Sequence, residues 1–482
     1  MNKIRLTLIL TFLTITLTFA QNCNCINNFE WVKKTFEEND AGFDYALKTK
    51  GKQAYADHNN RILEKIKSAK KLTDCTPVLY EWLSFFRSGH IAIRLIQQSQ
   101  QNNTASINSN QFIDWETLSI GTEKFKTYLA NKKEQDYEGI WETSSYKIGV
   151  KKQNDEYVGF IIASGAETWK KGQVKLRFTT GEKSKSTFYM YDHSAVETEG
   201  VKLIGKSHLQ LGGRFQLTRL YPELEEEQEL KNFIKLLDAK GPYLDVLNRS
   251  TLYLRIPSFQ PAFKPAIDSL LYANREKILQ TENLIIDIRN GTGGSDASYS
   301  EILPFLYTNP IRNVGVEYLS TKLNNQRMLD FINKDEYGFS EENKKWAKKS
   351  YEELEKKLGQ FVNLNKDVAN LSQYDTIHPY PKNVGIIINE QNGSTDEQFL
   401  LAAKQSKKVK LFGKTTHGVL DISNMFFIDS PCKEFELGYS LSRSMRIPDF
   451  TIDGKGIQPD YYLDKDIPEY KWVEYVSEIL SE

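Results

Sequence analysis

A hydroxyl that reacts needs a base to take its proton and donors to hold the charge that follows, and Ser394 stands where both can be supplied. It lies in the stretch VGIIINEQNGSTDE, residues 384–397. Val384–Ile388 is a short apolar run rich in β-branched residues and predicts a buried strand. Asn392-Gly393 is a turn signal, and Ser394-Thr395-Asp396-Glu397 opens FLLAAK, a run of good helix formers. A serine at such a junction is held with its hydroxyl exposed, beside the free N–H groups of the first helical turn. That arrangement suits a nucleophile with an oxyanion donor next to it. A plainer reading fits the same residues, because Ser394 and Glu397 have the S-x-x-E spacing of a capping box.

The reactive reading requires partners from elsewhere in the chain. At Arg87-Ser-Gly-His90 helical periodicity gives way to the alternating Ile91–Leu95, so His90 sits at a turn leading into a strand. By itself a histidine there serves a turn as readily as a reaction. His417, in the turn Gly413–Gly418 after the strand Val409–Phe412, is a rival base close in sequence to the serine helix. Gly293-Gly294 follows the apolar strand Leu284–Ile288, at a place where backbone N–H groups can approach a ligand. Asp453, just before Gly454, reads by itself as a turn residue. Asp287 and Arg289 read as holding a strand end.

Taken together, LIIDIRNGTGG, INEQNGSTDE, FGKTTHG and DGKGIQPD, in that order, resemble the core of the tail-specific, or C-terminal-processing, serine peptidases. TLYLRIPSF at 251–259 resembles the entry to that core, and the likeness covers roughly 250–465 plus the SGH motif at 88–90. One style within the family pairs serine with a lysine in a T-x-G-K block. Here that position holds Val419 in Thr416-His-Gly-Val419, which excludes the dyad. The tricorn-like style uses serine, histidine and an acid. The resemblance then implies Ser394 as nucleophile, His90 as general base, and Asp453 at the position where that branch carries Glu. It further implies the N–H groups of Gly294 and Thr395 as oxyanion donors. It implies an α/β peptidase core of ClpP/crotonase type, a peptide or protein substrate, and no metal or organic cofactor. A catalytically impaired binding protein on this scaffold, or an esterase using the same serine, remains open.

Around this core the chain is ordinary for a globular protein. Of its 482 residues 40% are hydrophobic and 26% charged, and 63 basic side chains balance 63 acidic ones. That balance gives no footing for nucleic acid. Residues 1–20 read as a signal peptide, with Lys3 and Arg5 ahead of the apolar Leu6–Ala20, a stretch short for a membrane span. Cleavage after Ala20 would leave an exported, periplasmic or extracellular protein without stable membrane insertion; an uncleaved anchor is the alternative. Export permits disulfides, and Cys75 pairing with Cys23 or Cys25 would pin the new N-terminus. The remaining layout is an N-terminal helical region at 21–95, a polar connector at 96–110, a β-rich inserted domain at 111–245, and the α/β core at 246–482. Within the core, 320–375 reads as a charged, helical insertion, either a lid or wall near the site or a solvated surface hairpin.

Overall fold

The computed structural model describes residues 24–96, 112–212 and 214–482. The signal-peptide reading, Cys23 and nearly all of the polar connector lie outside these residues. The chain divides into two compact units. One gathers the described part of residues 1–98 with 314–370 and 421–454; the other comprises the described part of 99–313 with 371–420 and 455–482. Residues 246–482, read from the sequence as one core, contribute to both.

In the first unit, four helices, Cys25–Asn39, Phe43–Lys50, Lys52–Ser68 and Leu72–Ser84, account for the helical periodicity of the N-terminal region. A Cys25–Cys75 disulfide ties the first to the fourth. Their apolar faces bury Phe29, Val32, Phe36, Ile62, Trp82 and Phe86 against Phe435, Leu437, Tyr439 and Leu441. Those last four belong to the long strand Phe435–Ser444, the hub of a five-stranded antiparallel sheet. Along one edge it pairs with its hairpin partner Ile422–Asp429, and along the other with Ala92–Leu95 and then Val316–Leu319 at successive stretches. Helices Lys322–Asn333 and Glu341–Glu355 bury Met328, Ala347 and Leu354 around Val362. Asn324 Nδ2 also donates to Asn39 O at 2.9 Å. Residues 320–370 are therefore packed into the first unit and are not a solvated hairpin.

The second unit holds two sheets. A nine-stranded antiparallel sheet spans Gly139–Tyr221. Its two edge strands, Ala195–Glu199 and Val201–Ile204, are separated only by Gly200, so the sheet curls round until its edges meet. Trp141, Ile148, Leu176, Phe178 and Leu217 fill its interior. The other sheet runs in the order Tyr243–Val246, Thr251–Arg255, Asn283–Asp287, Asn383–Ile388, Val409–Gly413 and Tyr461–Tyr462, with every pairing after the first parallel. Parallel strands are covered on both faces, which is why Leu284–Ile286 and Val384–Ile388 read as apolar runs. Ile285, Ile387 and Phe412 pack under Trp472 and Val476 of the C-terminal helix Trp472–Ser481. Ligand sites in such sheets gather at the carboxyl ends of the strands.

Candidate active site

Ser394 stands beyond the carboxyl end of the strand Asn383–Ile388 and immediately before the helix Thr395–Ala403. Its backbone has φ 59° and ψ −119°, a conformation that a non-glycine residue keeps only where its surroundings impose it. Asn392 supplies much of that constraint. Its Oδ1 accepts the Asn389 N–H at 2.8 Å, its Nδ2 donates to Ile288 O at 2.6 Å, and its carbonyl accepts the His417 N–H at 2.8 Å. Glu397, fully buried, accepts the Ser394 N–H at 3.2 Å, as one half of a capping box would. It does more than cap. The same carboxylate accepts the Thr416 hydroxyl at 2.5 Å and the amides of Gly418 and Val419 at 2.7 and 2.9 Å. The 416–419 loop is thereby moored to the serine helix. A Cβ on Gly393 would lie 2.6 Å from Val419 Cγ2. The apolar Val419, which excludes the Ser–Lys dyad, thus packs on the serine turn.

The glycine turn after the neighbouring strand closes on the same place. Gly293, at φ 80°, has no room for a side chain: a Cβ there would lie 2.8 Å from Ser394 Cβ and 3.2 Å from Thr395 N. Gly294, at φ 153°, bridges to Phe259, and a Cβ would fall 2.1 Å from the Phe259 carbonyl. Reciprocal bonds fasten this turn to the serine turn, with Asn290 N donating to Asn389 Oδ1 at 3.0 Å and Asn389 Nδ2 donating to Asn290 Oδ1 at 2.7 Å. Below it, Arg289 and Asp287 form a buried pair at 2.7 Å that fixes the strand end. Ser394, Thr395 and Gly294 are thus gathered in the second unit.

His90 and Asp453 are gathered in the first. His90 has φ 52°, held by Arg87, whose guanidinium donates to Gly89 O at 3.0 Å and to His90 O at 2.8 Å. Arg87 is itself clamped by the buried Asp40 at 2.7 and 2.6 Å. His90 Nδ1 lies 2.6 Å from Ile422 O. A carbonyl only accepts, so Nδ1 carries the proton and Nε2 keeps the lone pair. Burial pushes the imidazole pKa down to about 4; the Ile422 carbonyl pulls it back up, Arg87 adds to the fall, and Asp40 opposes it. Asp453 meets this arrangement through the backbone. Its carboxylate accepts the Asp421 N–H at 2.6 Å and the Ile422 N–H at 3.4 Å, while Asp421 Oδ2 accepts the Asp453 N–H at 2.8 Å. The residue that orients the imidazole is the residue Asp453 holds.

Several members of this framework carry no motif of their own: Asn389, Asn290, Asp40 and the mooring role of Glu397. Asp396 is another. It is almost fully buried, and burial raises its pKa to about 7. Among the described residues no cluster of three or more His, Cys, Asp or Glu side chains is placed to hold a metal ion. Among the same residues no helix is long and apolar enough to cross a membrane.

The model of peptidase family S41 matches residues 250–463. Mature CPAF complexed with lactacystin is similar in structure, with a TM-score of 0.52 at 14% identity, covering 95% of this chain and 97% of that one. A putative peptidase from Parabacteroides merdae ATCC 43184 gives a TM-score of 0.45 at 12% identity, over 96% of this chain and 98% of its own. The tricorn protease gives 0.41 at 11% identity, over 95% of this chain and 36% of its own. No curated protein matches.

Proposed function

We propose that this chain, whose residues 250–463 match the model of peptidase family S41, is an exported serine-type peptidase that hydrolyses peptide bonds through an acyl-enzyme on Ser394. Ser394 Oγ attacks the substrate carbonyl carbon as His90 Nε2 takes the hydroxyl proton. The tetrahedral oxyanion rests on the amides of Thr395 and Gly294. Collapse expels the amine, which leaves with the proton from His90, and an acyl ester remains on Ser394. Water then attacks the ester with the same base, releasing the acid and restoring the hydroxyl.

The observation that carries this reading is the seating of Gly293 against Ser394 and Thr395, which brings a glycine amide turn onto the serine at the helix start. His90 is supported as base by its tautomer, since Nδ1 is committed to Ile422 O. Asp453 serves as a positioning residue, acting on the imidazole through Ile422. Export is supported by the basic-then-apolar start of the sequence and by the Cys25–Cys75 disulfide, a bond that persists in oxidising compartments. The test is turnover of an unfolded protein substrate. Wild type should release peptides, and Ser394→Ala should lose on the order of 10⁴-fold or more in kcat. Equal turnover by the two proteins would overturn the proposal.

A further inference from the structure

Two residues beyond the serine, Asp396 is the buried carboxyl group that the reaction above leaves unused. It lies in the first turn of the serine helix, 1% exposed. Asn392 Nδ2 donates to its Oδ2 at 3.0 Å, and that same nitrogen donates to Ile288 O at 2.6 Å. A Cβ on Gly291 would lie 2.6 Å from Asp396 Oδ2, so the carboxyl group presses directly on the glycine turn. Burial is the largest influence on its proton and favours the neutral acid, against the Asn392 amide and the Gly293 and Gly393 backbone N–H groups, which donate to it and favour the charged form. Its other oxygen, Oδ1, is buried and has no hydrogen-bond partner. An ionised carboxylate with an oxygen left unpaired in such a place is costly, and the neutral acid is far less so.

We propose that Asp396 is a positioning residue of the hydrolytic centre, clamping the Gly291–Gly294 turn to the Asn392–Ser394 turn, and that it does so as the neutral acid. The inference rests on the peptidase reading. Its electrostatic side follows from where the oxyanion forms. The developing charge is held by Thr395 and Gly294, which lie beside Asp396 in sequence and along the turn it touches. A second negative charge there, in low dielectric, opposes the transition state. The remaining charges on the elements packed around Asp396 are Glu397 on its own helix and Asp296 on the facing turn Asp296–Tyr299. Glu397 adds to the repulsion, Asp296 is hydrogen-bonded to Thr395, and Arg289 on the glycine strand is committed to Asp287. Burial sets the loss of the Asp396 proton at about 7, so the inhibiting charge appears as pH rises through neutrality.

The experiment is the pH profile of kcat/KM from pH 3 to 9 for wild type, Asp396→Asn and Asp396→Ala, with a fluorophosphonate labelling rate measured alongside. Wild type should fall roughly tenfold for each pH unit above about 7 until the ionised form's own rate is reached. Asp396→Asn, which cannot ionise, should lack that descending limb and hold its activity to higher pH. Asp396→Ala should lack the limb too, with lower activity throughout, because Asn392 loses its acceptor. A descending limb shared by wild type and Asp396→Asn would overturn this inference and leave the peptidase reading intact. No turnover and no labelling of wild type at any pH would overturn both.

Discussion

His90 and Ser394 share an unusual backbone, with φ of 52° and 59° on residues that carry a Cβ. Such conformations cost roughly 1–3 kcal/mol each and persist where neighbouring groups over-determine them. Here those groups can be named: Arg87 and Asp40 for the histidine, Asn392 and Glu397 for the serine. Gly294→Ala should be a sharp probe of the oxyanion assignment. Its Cβ would collide with the Phe259 backbone, and the turn would have to withdraw its amide. Kcat should fall about 10²–10³-fold, the loss expected for one oxyanion donor, with KM for a peptide substrate little changed. The acidic limb of the pH profile belongs to His90. Its folded pKa is depressed to about 4, so the base is already neutral there, and kcat/KM should rise through about pH 4, well below the usual imidazole range. A midpoint near 6.5, the unperturbed value, would show that another base is at work. Asp396 leaves a mark on stability as well. Its pKa is raised from 3.8 to about 7 on folding, so its contribution is full below about pH 4 and disappears as pH climbs through 7. The Tm difference between wild type and Asp396→Asn should drift steadily over that interval, and a constant difference would contradict it.

At the level of elements, the parallel strands and the serine turn were legible because their physics is local. Leu284–Ile288, Val384–Ile388 and Val409–Phe412 are apolar runs of the kind that only doubly covered strands require, and they appear as Asn283–Asp287, Asn383–Ile388 and Val409–Gly413. The hairpin Ile422–Asp429 and Phe435–Ser444 was not legible. Its long strand, FELGYSLSRS, buries Ser440, Ser442 and Ser444, and buried serines give no hydrophobic signal. Its role rests on contacts hundreds of residues apart, such as Ser440 N to Asp40 at 3.0 Å and Ile422 O to His90 at 2.6 Å. No pattern along a single sequence encodes such pairs. Asp396 was hidden differently: an acid in a first helical turn reads as a solvated helix-dipole partner, and its burial appears only in three dimensions. The Arg87–Asp40 clamp gives this scale its prediction. Both side chains are nearly inaccessible, at 8% and 0%. Arg87→Ala leaves a buried carboxylate unpaired, which should cost about 3–5 kcal/mol of stability. Because Arg87 also holds the Gly89 and His90 carbonyls, turnover should fall even at temperatures where the variant stays folded, as thermal melts and assays on the same sample would show.

For the whole molecule, one chain builds two units by leaving one and returning twice, at 314–370 and 421–454. Ser394, Thr395 and Gly294 sit in one unit, His90 and Asp453 in the other. Export adds a covalent expectation. The mature protein should begin at Gln21 and retain the Cys25–Cys75 bond, which mass spectrometry of the secreted protein reads directly. Activation of one serine by one distant histidine is measured by reaction with an active-site-directed fluorophosphonate. Wild type should be labelled on Ser394, with His417→Ala labelled at a comparable rate and His90→Ala and Ser394→Ala unlabelled while still folded. Labelling of His90→Ala at the wild-type rate, or an adduct on a different serine, would contradict the account.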